Sequence, residues 1–246
     1  MRNRKLIIVI VGFFLCGAGA LFFYLKQDES EKSLEKKVAD IVVTDEKGAS
    51  KSHDPSSQKI RVGASPFSGI ARSRVGMPFN TDPFRPKSKE EQQWLDRNGY
   101  PNEKQLEIYA IASDGALQDA ARSGDSLAKV FLDGRKMMQG DPSAIDGLWE
   151  SAVGGSSYAL TTMAAYLGGS SNADPVQAYA YSRVAEMRGD YTQAMVRDLV
   201  VRENLSAPDR LRAEERARQL FSDLTNQRRV RFGSNIQTVD PRPISD

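Results

Sequence analysis

The chain has 246 residues, with 34 Lys and Arg against 32 Asp and Glu, one His and one Cys. Zinc sites built on His and Cys need three or four such ligands, so this composition argues against them, and no metal or cofactor is expected. A formal net charge of +2 also argues against a dedicated nucleic-acid binder, whose footprint is usually strongly basic. Nucleophilic catalysis by a Cys-His pair is limited to Cys16 and His53, which fall in an apolar segment and a polar linker.

Residues 6–25 form an uninterrupted run of 20 residues without a charge. A helix of that length spans about 30 Å, the thickness of the hydrocarbon core of a bilayer. Arg2, Arg4 and Lys5 precede it, so the positive-inside rule places residues 1–5 in the cytoplasm. The pattern predicts a single-pass signal anchor in a bacterial inner membrane, with the C-terminal domain in the periplasm.

A cleaved signal peptide is the alternative, because Ala18, Gly19 and Ala20 form an A-x-A site after an apolar stretch. Cleavage after Ala20 would release a soluble secreted chain. It would also leave a strongly apolar new N-terminus beginning at Leu21, so the length of the apolar run favours the uncleaved anchor.

Residues 26–87 are dominated by Lys, Glu, Asp and Ser. So few apolar side chains cannot offset the entropy cost of ordering the chain, which predicts a disordered tether. As an alternative, short stretches such as 40–43 or 66–77 could dock onto the domain or onto a partner.

The stretch 88–226 is rich in Ala and carries regular helix-start signals. Ser88 and Glu91 have the spacing of a capping box, and Asp141 and Asp174 each precede a proline, as helix N-caps often do. No segment shows sustained alternation of β-branched residues. The sequence therefore predicts an all-α domain over 88–226.

Two stretches of this domain match each other when they are aligned on their closing glycines, 141–155 and 174–189. With the upstream Gly124, the glycines Gly155 and Gly189 are spaced 31 and 34 residues apart. That period is typical of stacked helical hairpins, in which the glycine takes a left-handed conformation and reverses the chain.

These stretches resemble the Sel-one-like repeat family, a relative of the tetratricopeptide repeat. The residues that carry the resemblance are Ala178, Tyr179, Ala180, Tyr181, Ala185 and Gly189, with 155–159 and 166–169 from the preceding unit. The resemblance implies a small α/α-hairpin solenoid that works as an adaptor holding other proteins together.

Aromatic residues of the domain are expected mainly in its core, because aromatic side chains dominate core burial. Those left at the surface would be suitable anchors for a partner protein, since Tyr is frequent at interface hot spots. The candidate partner-binding residues are Tyr109, Tyr158, Tyr166 and Tyr181.

Adjacent acidic pairs are the remaining candidates for catalysis, at 90–91 and 214–215. Neighbouring residues on a helix do not face each other, so the sequence predicts no catalytic residue and no small-molecule substrate. A periplasmic cell-wall enzyme, or an inhibitor of one, that uses acidic residues of the helical domain is the alternative function.

Residues 227–246 are basic, with Arg228, Arg229 and Arg231, whereas 88–226 carry 15 basic and 21 acidic side chains, a net charge of −6. The sequence predicts a disordered tail after a frayed helix end. For 228–232, the alternatives are binding of an acidic partner or folding back on the acidic domain.

Taken together, the patterns predict a membrane-anchored, non-enzymatic helical-repeat adaptor, scaffold or regulator. Its partners would be proteins of the bacterial cell envelope, and it would bind no nucleic acid.

Overall fold

The computed structural model describes residues 65–169, 173–201 and 205–243, so the expected membrane segment lies outside the described residues. The described part contains nine α-helices and no strand, which confirms the all-α prediction for this part. In chain order these helices are α1 (Lys89–Arg97), α2 (Glu103–Ile111), α3 (Asp114–Arg122), α4 (Ser126–Met138), α5 (Ala144–Gly154), α6 (Ser157–Gly169), α7 (Pro175–Met187), α8 (Thr192–Val200) and α9 (Ala207–Phe232). None of them has the length and apolar character needed to cross a bilayer.

Side-chain caps start α1 and α7 where the sequence predicts them. The Ser88 hydroxyl accepts a hydrogen bond from the Glu91 backbone N–H (3.2 Å), and Asp174 caps the helix that opens with Pro175. The Glu91 carboxylate accepts from the N–H of Lys87 (2.6 Å), one residue before the cap, so the cap is not the reciprocal box that the spacing suggests.

The start of α5 differs from the prediction, which placed an N-cap at Asp141. The Asp141 carboxylate accepts from the backbone N–H and the hydroxyl of Ser143 (2.9 and 2.7 Å), and the helix begins only at Ala144. Asp141 therefore stabilises a local turn, because its short side chain reaches the backbone two residues on before the helix can form.

Three glycines end helices as the repeat pattern predicts. Gly124, Gly155 and Gly189 follow α3, α5 and α7 with φ of +93°, +123° and +115°. These angles confirm the left-handed turns, which a residue with a side chain adopts only with strain.

The helices pack mainly on their neighbours in the chain, from α3 through α8, and α9 returns to pack on α7 and α5. Many of the buried residues between α5, α6, α7 and α9 are alanines, which let the helix backbones approach closely. The alanines of these four helices without exposed surface are Ala152, Ala159, Ala164, Ala178, Ala180, Ala185, Ala213 and Ala217.

Three groups of buried apolar residues form the core. The largest joins α4 to α9, a second contains Tyr109 and Phe67, and a third contains Trp94 and Tyr100. Tyr158, at the start of α6, packs against all three groups. This tyrosine therefore joins the parts of the core.

Residues 65–87, the described part of the expected tether, pack against α1 and the α1–α2 turn. The fully buried Arg74 pairs with Asp82 and with Asp96, at 2.6 Å each, and donates to the backbone carbonyl of Tyr100 (3.0 Å). The structure thus matches the docking alternative for this stretch, because Arg74 supplies charge-assisted bonds that a count of apolar residues overlooks.

Residues 233–243, called here the C-terminal segment, run back across α1 and the α7–α8 turn. The Trp94 indole N–H donates to the carbonyl of Asp240 (2.6 Å), and the backbone N–H of Arg242 donates to the carbonyl of Gly189 (2.9 Å). The structure differs here from the predicted disordered tail, because these hydrogen bonds hold 233–243 against the helices. The stretch 228–232, for which folding back was the alternative, forms the last turn of α9.

The Arg242 side chain is buried between two acidic groups. It pairs with Glu91 at 2.7 Å and with Asp190 at 3.5 Å, and its guanidinium lies over the Trp94 ring, 5.4 Å from the ring centre. The C-terminal segment therefore connects the first helix to the last third of the domain.

Candidate partner-binding surface

Two of the four candidate tyrosines are buried. Tyr109 is 1% exposed, and its hydroxyl donates a hydrogen bond to the Asp125 carboxylate (2.7 Å). Burial is the larger cause of its raised pKa, and this hydrogen bond is the second cause. Tyr181 is 6% exposed, lies beside Trp149 in the main core, and has a pKa raised by burial. These two side chains leave almost no surface for a partner to contact.

Tyr158 and Tyr166 are half-buried, and the structure does not bring the four tyrosines onto one face. Tyr158 packs between the three core groups, whereas Tyr166 packs against the main core only. Residue type alone identified them as candidates, and the helix faces that carry them point mainly inward.

The acidic pairs point in different directions. Glu91 is buried against Arg242, while Glu90 is exposed. The Glu90 carboxylate accepts hydrogen bonds from the backbone N–H of Glu90 and from Ser88, and these bonds lower the pKa of Glu90. Glu214 accepts from the Tyr179 hydroxyl (2.8 Å) and its neighbour Glu215 from Arg218 (3.0 Å). Neither pair brings two carboxylates to one point.

Within residues 65–169, 173–201 and 205–243, no three His, Cys, Asp or Glu side chains are placed so that they could share a metal ion.

The last turn of α9 separates buried from exposed residues. The Arg228 side chain points inward and is 7% exposed, whereas Val230 is 89% and Phe232 47% exposed, with Arg229 and Arg231 also at the surface. The α9 terminal surface is defined here as Arg229, Val230, Arg231 and Phe232.

This surface combines apolar and basic groups. The Phe232 ring lies 5.7 Å from the Arg228 guanidinium and 5.4 Å from that of Arg231, measured to the ring centre. In the described part of the chain, neither Arg229 nor Arg231 forms an ion pair with a carboxylate. Its positive charge is therefore available to an acidic group from outside.

The first turns of α9 offer a useful comparison, because Arg210, Leu211 and Arg212 repeat the order of basic and apolar residues. Leu211 is 72% exposed, but Arg212 forms an ion pair with Asp209 on the same turn. The two ends of α9 thus carry similar residues, but at its N-terminal end Arg212 already pairs with an acidic residue of the same chain, Asp209.

Comparisons with protein-family models, with curated proteins and with solved structures give no match to this chain.

Proposed function

We propose that this protein is a membrane-anchored, non-enzymatic adaptor of the bacterial cell envelope, and that its helical domain binds another protein through the α9 terminal surface. The observation that supports this most directly is the exposure of Val230 and Phe232 beside Arg229 and Arg231, neither of which pairs with a carboxylate among the residues that the structure describes. An apolar side chain that stays exposed costs free energy in water, and contact with a partner removes that cost.

The chemistry of this surface specifies the partner. Arginine guanidiniums bind carboxylates with paired hydrogen bonds, and Val230 and Phe232 offer a small apolar contact beside them. The proposed partner segment therefore carries at least two carboxylates next to an apolar side chain. Arg is enriched among the few residues that carry most of the binding energy of an interface, so Arg229 and Arg231 are the proposed hot spots.

The proposed anchor is the charge-free run at 6–25, and it would raise the effective concentration of the domain near the membrane. Intact-mass measurement of the mature chain tests it. We expect the full-length mass, and a mass corresponding to cleavage after Ala20 would contradict the anchor.

The Sel-one-like assignment is part of the same proposal. It is supported by two successive hairpins, α5–α6 and α7–α8, each turning at a glycine with positive φ, Gly155 and Gly189. Stacked hairpins of this kind are common scaffolds for binding other proteins.

Photo-crosslinking in the native membrane tests the binding surface. A photo-reactive residue at position 230 should crosslink to one protein at a segment rich in Asp and Glu, whereas position 211, also exposed on the same helix, should not. Crosslinking to lipid only, or the same products from both positions, would contradict the proposal.

A further inference from the structure

The stretch of chain around the α9 terminal surface carries an unbalanced positive charge. Residues 224–239 contain three arginines and no Asp or Glu. Among the described residues, Arg229 and Arg231 pair with no carboxylate. The side chains of Val230 and Phe232 are exposed beside them. This surface therefore favours an occupant that brings several carboxylates and apolar side chains together.

The chain itself contains a segment of this chemistry, which lies outside the described residues. Residues 40–46 read Asp-Ile-Val-Val-Thr-Asp-Glu, so three carboxylates flank three consecutive apolar residues. Elsewhere in 26–64, Leu, Ile and Val occur only singly, at positions 34, 38, 60 and 62. Residues 40–46 are therefore the stretch of 26–64 that matches both the charge and the apolar character of the α9 terminal surface.

We propose that residues 40–46 bind to the α9 terminal surface of the same chain and occupy it until a partner protein displaces them. The carboxylates of the segment pair with Arg229 and Arg231, and residues 41–43 cover the two exposed apolar side chains. This inference rests on the proposed function, because it assigns an internal competitor to the same surface.

The length of chain between the two places allows this contact. Residues 47–64 separate the segment from Ser65, the first described residue. A chain of this length can span up to about 60 Å, whereas a globular domain of this size is about 40 Å across. Because segment and surface belong to one molecule, their effective concentration is about 1 mM, which is enough for a segment of modest affinity.

The other end of α9 offers no equivalent site for an acidic segment. There Arg212 already pairs with Asp209, and the next turn carries Glu214 and Glu215. The stretch 88–226 also has more acidic than basic side chains, 21 against 15. An acidic segment is therefore repelled by most of the domain and attracted to the end of α9.

Occupation by residues 40–46 regulates the proposed function. A partner binds only the molecules whose surface is free, so a segment that occupies about two thirds of them raises the apparent Kd about threefold. The variant Asp40→Asn, Asp45→Asn, Glu46→Gln should therefore bind the crosslinked partner about threefold more tightly than the wild type. An unchanged or weaker affinity would contradict this regulation.

Photo-crosslinking in the purified full-length chain, in neutral detergent and without any partner, tests the contact itself. A photo-reactive residue at position 230 should crosslink within one molecule to the tryptic peptide 38–47, which cleavage after Lys37 and Lys47 releases. The same group at position 211 should not. No crosslink from position 230 to this peptide, or a product of dimer size only, would overturn the proposal.

Matched variants test whether the charge of the segment holds the contact. Asp40→Asn, Asp45→Asn, Glu46→Gln should lower the yield of the internal crosslink at least about fivefold, because it removes all three carboxylates. The control Asp28→Asn, Glu29→Gln, Glu31→Gln removes three carboxylates that have no Leu, Ile or Val beside them, and it should keep the yield. Equal yields for the two variants would overturn the proposal.

The result is separable from the test of the proposed function. A crosslink to a partner in the native membrane, with no internal crosslink in the purified chain, contradicts this inference and leaves the proposed function supported. An internal crosslink with no partner crosslink in the membrane supports the contact and contradicts the proposed function.

Discussion

The backbone at Gly189 passes so close to the C-terminal segment that no side chain fits there. A Cβ atom built on Gly189 would lie 2.3 Å from the carbonyl oxygen of Asp240 and 2.7 Å from Cα of Pro241, both of them backbone atoms. Its φ of +115° adds a second restriction. Glycine is therefore needed both for the turn and for the contact.

Gly189→Ala should lower the free energy of unfolding by about 3 kcal/mol or more, since it combines backbone strain of about 1–2 kcal/mol with a clash. Gly124→Ala is the matched control, because Gly124 also has a positive φ but has open space around its Cβ position. Urea unfolding should show a loss of only about 1–2 kcal/mol for the control. Equal losses for the two variants would show that the close contact contributes nothing.

The raised pKa of Tyr158 predicts that the protein loses stability at high pH. Burial raises the pKa of Tyr158 to about 12, whereas an unfolded tyrosine titrates near pH 10. The neutral hydroxyl therefore favours the folded state below pH 10, and that contribution disappears as the pH rises from 10 to 12. In this window the free energy of unfolding should fall by about 1 kcal/mol per pH unit because of this residue.

Tyr158→Phe should reduce that slope while leaving stability at pH 7 nearly unchanged, because the ring that joins the three core groups is kept. Urea unfolding at pH 9, 10, 11 and 12 measures the difference. Parallel curves for the variant and the wild type would contradict the role assigned to the hydroxyl.

The candidate residues show what the sequence can predict at this scale. Aromatic identity predicted that most of these side chains lie in the core, but it could not show which ones, and two of the partner-binding candidates, Tyr109 and Tyr181, are buried. The exposed residues Val230 and Phe232 lie in a basic stretch for which the sequence predicts a disordered tail. Their alternation with arginines was the available signal, and the inward turn of Arg228 depends on contacts with α5, distant in the chain.

At the scale of helices, the C-terminal segment is held chiefly by one buried charge. Arg242 lies between Glu91 and Asp190, and all three side chains are almost fully buried. Removing the cation leaves two carboxylates in a poorly solvated position, a change that typically costs about 3–5 kcal/mol.

Arg242→Met, which keeps much of the side-chain volume, should therefore lower the free energy of unfolding by about 3–5 kcal/mol. Arg97→Met is the control, since the pair of Arg97 with Asp240 is largely exposed and should be worth at most about 1 kcal/mol. Chemical unfolding monitored by tryptophan fluorescence measures both. A loss under 1 kcal/mol for Arg242→Met would mean that the segment does not depend on this ion pair.

Helix boundaries were predictable where local chemistry sets them. The cap at Ser88, the proline start of α7 and the glycine turns all depend on residues within one helical turn. The prediction of an N-cap at Asp141 was wrong, because the same carboxylate can stabilise either a helix start or a turn. The C-terminal segment was not predictable, because its contacts with α1 join residues at opposite ends of the domain.

At the scale of the whole molecule, residues 65–87 and the C-terminal segment both pack against α1. The stack of helices is therefore held at its first helix by two non-helical segments, one from each end of the described chain. The α9 terminal surface lies immediately before the C-terminal segment. Because that segment is bound to α1, it fixes the position of the α9 terminal surface relative to the domain.

The central claim is that the α9 terminal surface binds an acidic segment of a partner protein. The most direct test is the Kd of the crosslinked partner for the double variant Arg229→Glu, Arg231→Glu, with Arg210→Glu, Arg212→Glu on the same helix as the matched control. We predict that Kd rises at least about tenfold for the first variant, equivalent to about 1.4 kcal/mol, and stays near the wild-type value for the control. An unchanged Kd for the first variant, or an equal rise for both, would contradict the claim.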